Sequence, residues 1–155
     1  MTEIVITLDI ERPVETVREY LTELHHTKDW STTVVDTVYS GPIRLGAAGV
    51  ETRRTGRREL KMMNWEVTGY DPPRFMALTF GPPLNSVALF SFVPIPTGGT
   101  RFTCSTTIKP KGSMRLLAPI IAVEGRRADE KQFAKAKAIM EAKDVGGGGF
   151  DDISR

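Results

Sequence analysis

The sequence predicts an α+β domain in which a seven-stranded, curved antiparallel sheet wraps around a long C-terminal helix. Three observations carry this. The residues after Met1 alternate apolar and polar side chains, further β-rich runs follow between Gly, Pro and Asp turns, and the last third of the chain changes to helical spacing with one apolar stripe. A chain of 155 residues fits one domain, and a domain of that size buries roughly two thirds of its unfolded surface. No second core is expected.

Thr2 to Ile10 puts Ile4, Ile6, Leu8 and Ile10 on one face, which is the pattern of a strand covering a core on one side. Arg12-Pro13 breaks it, and Val14, Val17, Tyr20, Leu21 and Leu24 recur at helical spacing behind a proline suited to a first turn. A loop or short helical turn is expected from His25 to Trp30, then a strand over Thr32 to Ser40 that Gly41-Pro42 ends. Val50 to Thr55 and Arg58 to Tyr70 read as a hairpin turning at Thr55-Gly56. After Asp71-Pro72-Pro73 come strands over Phe75 to Phe80, Ser86 to Val93 and Thr100 to Ile108. In the last of these, Phe102, Cys104, Thr106 and Ile108 are expected to face inward. Ser113 to Lys143 carries Leu117, Ile121, Ala128, Phe133, Ala136 and Met140 on a helical stripe, with Pro119 marking a break or new start and Gly125 a local bend. Residues 1–143 are thus expected to form the domain, and 144–155, with the run Gly146 to Gly149, a disordered tail.

The composition is 40% hydrophobic and 26% charged, which suits an ordinary soluble globular protein. A net charge of +2 is too small to argue for nucleic acid, and none is expected as a partner. Cys104 is the only cysteine, no secretory pattern opens the chain, and the apolar run Leu116 to Val123 is far short of the roughly 20 residues a membrane helix needs. A cytoplasmic location is the simplest expectation. The sequence has no phosphate loop, dinucleotide fingerprint, H-E-x-x-H pair or cysteine cluster, so neither a cofactor nor a metal is expected.

Several segments together resemble a known superfamily. They are Ile10-Glu11-Arg12-Pro13-Val14-Glu15-Thr16-Val17, Trp30, Glu66-Val67-Thr68-Gly69-Tyr70-Asp71-Pro72-Pro73-Arg74, Gly98-Gly99-Thr100-Arg101 and Ile139-Met140-Glu141. In order and spacing they are similar to the START/Bet v 1-like (SRPBCC) superfamily, of the polyketide cyclase/dehydrase and lipid transport type, over about residues 2 to 143. The resemblance implies a helix-grip fold whose cavity, between the long helix and the concave sheet, binds a hydrophobic small molecule such as a lipid or polyketide. Carriers, sensors, cyclases and partner-binding chaperone-like proteins share that fold, so it selects no single activity. It transfers no catalytic residue to this chain.

The expected cavity lining comprises Trp30, Phe75, Phe90, Phe92, Phe102, Cys104, Leu117 and Ile121, with Asn64, Tyr70 and Thr106 as polar groups that orient the ligand. Each apolar member also has the plainer reading of packed core. Cys104 has no histidine nearby in sequence to activate it and reads as a small hydrophobe. His25 and His26, adjacent in sequence, point apart and are expected to be structural or solvated; near the cavity mouth one of them would serve as general acid or base for an enolising carbonyl. Glu66 is expected to face outward, unless a bulge near Asn64 turns it in. Arg53, Arg54, Arg57, Arg58 and Lys61 surround one hairpin, either as a solvated turn or as a transient contact with an anionic membrane surface. Binding or transfer of the ligand leads, a cyclase or dehydratase acting on a polyketide-like substrate is second, and a partner-binding role is third. An enzyme should show a convergent polar pair in the cavity, a carrier a mostly apolar lining, and a partner-binding module a collapsed cavity.

Overall fold

In the computed structural model the alternation at the N-terminus becomes strand β1 (Thr2–Ile10), with Ile4, Ile6 and Ile10 buried and Glu3, Val5 and Thr7 exposed. The structure describes residues 2–55, 59–82 and 85–154, the side chains of 55, 59 and 143–154 excepted. Helix α1 (Val14–Thr22), a 3₁₀ turn (Leu24–His26) and helix α2 (Thr27–Trp30) lead to β2 (Val34–Val38), β3 (Ala48–Thr55), β4 (Glu59–Asp71), β5 (Phe75–Phe80), β6 (Ser86–Pro94) and β7 (Thr100–Ile108). A second 3₁₀ turn (Gly112–Leu117) runs into α3 (Ala118–Ser154). Pro119 therefore opens the helix in its first turn, where its missing N–H costs nothing. The expectation of a disordered tail over 144–155 concerns side chains outside the described residues.

The strands form one antiparallel sheet in the order β1-β7-β6-β5-β4-β3-β2. Every pair but β1 with β7 joins sequence neighbours, so the meander is closed only by the first strand returning beside the last. Register shifts at Val34/Asp36 and at Val67/Gly69 mark bulges, which bend the strands they interrupt. The bulge in β4 thus falls at Thr68 and not near Asn64. Alternation runs unbroken from Met62 to Val67, so Met63, Trp65 and Val67 are buried while Asn64 and Glu66 are exposed. The outward reading of Glu66 is the one the structure takes.

Helix α3 crosses the concave face. Its Phe133 ring meets Trp30, Phe90 and Phe102 at centroid distances of 5.0, 6.0 and 5.1 Å. Phe102 also packs on Phe92 at 5.6 Å, and each such buried apolar side chain contributes about 1.5–3 kcal/mol. At its C-terminal end the helix is held to the β1–α1 junction by polar contacts. Lys137 Nζ donates to the Asp9 carbonyl at 2.6 Å, and the Glu11 backbone N–H donates to Glu141 Oε2 at 2.9 Å. At the other end Gly125 lies against β1, and a Cβ there would sit 2.5 Å from Ile4 Cδ1. The helix runs through Gly125 without interruption, so the residue permits close approach where a bend was expected.

Candidate functional site

Between the N-terminal half of α3 and the sheet the packing opens into a cavity of about 420 Å³. Its floor is Leu78, Phe80, Ala88, Phe90 and Cys104, its roof is Ile121, Gly125, Ala128 and Phe133, and Trp30 and Trp65 stand at the sides. The segment Ser31 to Val34 forms the rim opposite the helix. That segment is shaped by Ser31, whose Oγ accepts the backbone N–H groups of Thr33 and Val34 at 3.1 and 3.0 Å. Small residues contribute to both walls, Gly125 and Ala128 on the helix and Ala88 and Cys104 on the sheet. Gly125 itself is closed against Ile4, and Phe133 borders the space where it packs on Trp30, Phe90 and Phe102.

One end of this apolar space is polar. Glu51 and Arg53 alternate on the inner face of β3, and Arg53 Nε donates to Glu51 Oε2 at 2.5 Å. Glu51 is only 5% exposed, and a carboxylate buried so deeply needs its arginine. The Arg53 guanidinium lies 5.3 Å from the Phe80 ring centre, and neither of its terminal nitrogens has a hydrogen-bond partner among the described residues. From the helix, Asp129 borders the same space and accepts a hydrogen bond from Gln132 at 2.8 Å. Burial pushes its carboxyl up to about 6, against the opposing pull of the Gln132 hydrogen bond and the Arg53 charge. Cys104 is a wall residue without nucleophilic character, since burial pushes its thiol up to about 12.

Of the expected lining, Trp30, Phe90, Cys104, Thr106 and Ile121 meet at this cavity. The others do not. Asn64 is exposed on the outer face, because the unshifted alternation of β4 carries it there. Tyr70 is half-buried on the inner face beyond the bulge, near Arg18 of α1, at the far end of the sheet. Phe75 pairs with Asp71 at that same end. Phe92 and Phe102 belong to the filled half of the core, where the aromatic cluster leaves no room. Leu117 is 48% exposed, because the 3₁₀ turn rotates it off the stripe before α3 begins. Leu116, Ile120 and Val123 are exposed beside it.

His25 and His26 border neither wall. Their rings stack on Tyr39 and Tyr20 at 4.1 and 4.7 Å, which gives them structural partners. Of the basic hairpin, Arg53 borders the cavity, Arg54 and Lys61 are exposed, and Arg57 and Arg58 lie outside the described residues. Glu51, Arg53 and Asp129 were not anticipated as site residues. Two signals pointed to them. Asp129 lies four residues from both Gly125 and Phe133, placing a carboxylate on the apolar stripe, and Glu51 pairs with Met63, so an inward Met63 brings Glu51 inward.

Comparison with known proteins agrees with this geometry. The family model described as "Polyketide cyclase / dehydrase and lipid transport" matches residues 1–141. No curated protein matches. Among solved structures, protein SA2116 of Staphylococcus aureus, of unknown function, superposes with a TM-score of 0.76 at 15% identity, over 93% of this chain and 96% of its own. Ara h 8.0201 superposes with a TM-score of 0.72 at 11% identity, over 90% and 97%. The di-domain ARO/CYC protein StfQ of the steffimycin biosynthetic pathway gives 0.74 at 15% identity, covering 93% of this chain and 52% of StfQ. At these identities the likeness concerns the fold.

Proposed function

Since the chain belongs to the polyketide cyclase/dehydrase and lipid transport family, we propose that it binds and transfers a small hydrophobic molecule held in the cavity under α3. The observation that carries this reading is the cavity itself: about 420 Å³, with aromatic and aliphatic walls such as Trp30, Leu78, Phe80, Phe90 and Ile121, and hydroxyl, amide and charged groups set among them. Ligand pockets have this composition, because burial of apolar surface supplies affinity while a few polar groups fix orientation. A partner-binding role, which a collapsed cavity would favour, has less support. Native mass spectrometry of the protein purified from its own host tests the proposal. A copurified apolar molecule is expected, together with binding of a neutral fluorescent probe such as Nile red. A protein that carries nothing and never binds the probe would overturn it.

A cyclase- or dehydratase-type activity on a polyketide-like substrate is the second reading. Arg53 and Asp129 favour it, as polar groups from opposite walls that converge on one space. The Asp129 carboxyl, held near 6, is placed close to neutrality as general acids and bases require. The two readings separate on the fate of the copurified ligand: recovery unchanged after prolonged incubation favours carriage. Conversion with loss of water, abolished in Asp129→Asn, would favour catalysis.

A further inference from the structure

Charge along the cavity wall restricts what the ligand's polar end can be. The charged residues bordering the cavity among the described residues are Glu51 and Arg53 on β3 and Glu124 and Asp129 on α3. Glu124 is exposed and pairs with Arg127 at 3.9 Å, so two carboxylates, Glu51 and Asp129, accompany the one guanidinium. That guanidinium already gives its Nε–H to Glu51, while its two terminal nitrogens have no hydrogen-bond partner among the described residues. Asp129 stands across from it with one partner, Gln132. Building on the proposed ligand-binding role, we infer that the cavity selects a neutral oxygenated head group, a hydroxyl or ketone, and rejects carboxylates and phosphates, with Arg53 and Asp129 as the residues that set this choice.

The chemistry follows from donors and acceptors. A ketone or hydroxyl oxygen accepts from the Arg53 terminal N–H groups, and a hydroxyl hydrogen is offered to the Asp129 carboxylate, so a hydroxylated ring satisfies both walls. A carboxylate head gains the Arg53 fork but meets Glu51 at its side and Asp129 opposite, in a space with little water to screen them. Phe80 beneath the guanidinium keeps its plane fixed and its terminal edge open, so the arginine does not swing away to solvent.

Displacement of Nile red by two ring-matched compounds tests the inference: 2-naphthol and 2-naphthoate, at pH 7.5. 2-Naphthol is expected to bind at least about tenfold more tightly than 2-naphthoate, the ratio that one unfavourable charge contact sets. Asp129→Asn removes one carboxylate and is expected to narrow the gap between naphthol and naphthoate about tenfold, each affinity being read against the variant's own Nile red affinity. Arg53→Met is expected to lose naphthol affinity without gaining naphthoate. Naphthoate binding as well as naphthol, with Nile red displaced, would overturn the inference and leave the cavity reading standing. An Asp129→Asn protein with wild-type discrimination would also overturn it. If neither Nile red nor any naphthyl compound binds the folded protein, both fall together.

Discussion

At the scale of single residues, the two sides of one cavity differ in what they tolerate. Ile121 borders open space, so Ile121→Trp should fill it. Overpacking a solid core typically costs about 1–3 kcal/mol; Ile121→Trp is expected to fall at or below the bottom of that range by thermal denaturation and to abolish Nile red binding. Phe102 is fully buried among Phe90, Phe92 and Phe133, and Phe102→Ala should cost about 3–5 kcal/mol with probe binding lost through unfolding. A severely destabilised Ile121→Trp protein would mean that the cavity is closed in solution.

Asp129 makes the residue scale depend on pH. Its folded carboxyl lies near 6, above the unfolded value of 3.8. The folded state therefore binds the proton more tightly, so the stabilisation from this group is complete below about pH 4 and is lost as pH rises to about 6. Above that the ionised group is a net cost. With allowance for its partial exposure, Asp129→Asn is expected to be more stable than wild type by on the order of 1 kcal/mol at pH 7.5. The difference should shrink toward zero by pH 4. Equal stabilities at pH 7.5 would show that the carboxylate is fully hydrated.

At the scale of elements, α3 does two things along its length. Its first half roofs the cavity and its second half anchors the helix through Lys137, Glu141 and the Phe133 cluster. Glu141→Ala leaves the Glu11 N–H without its acceptor and should cost about 1–2 kcal/mol, measured by urea denaturation. Because the anchor is remote from the roof, Nile red affinity is expected to change less than twofold, on the independence of distant sites. A large loss of affinity with little loss of stability would mean that the anchor instead sets the height of the roof.

At the scale of the whole molecule, the domain is closed by β1 returning to pair with β7 and by α3 crossing both, so the matched region ends where the anchor ends, at Glu141. Truncation after Lys143 is expected to leave the melting temperature within error, because four consecutive glycines oppose helix by about 1 kcal/mol each and carry no side chain to pack. A fall of several degrees would show that Phe150 or Ile153 is held by the domain.

The sequence by itself determined the element order, the antiparallel meander, the inward set of β7 and the stripe of α3. These follow from local periods of 2 and 3.6 and from turn residues, which act over a few positions and need no partner. It also brought Trp30, Phe90, Cys104, Thr106 and Ile121 to the right wall, since an inward residue near the middle of such a sheet must face the helix. Only the tertiary structure decided which half of that concave face is filled. Phe92 and Phe102 carry the same alternation as Phe90 and Cys104, and what separates them is where Phe133 lands: it packs on Phe102 with Phe90 at the border, and the space beside Phe90 and Cys104 stays open. The polar end was decided the same way. β3 presents Glu51 and Arg53 on one face and Thr52 and Arg54 on the other, and no local period tells two polar faces apart; pairing of Glu51 with the buried Met63 on β4 turned the first pair inward, and the approach of α3 set Asp129 at the same space.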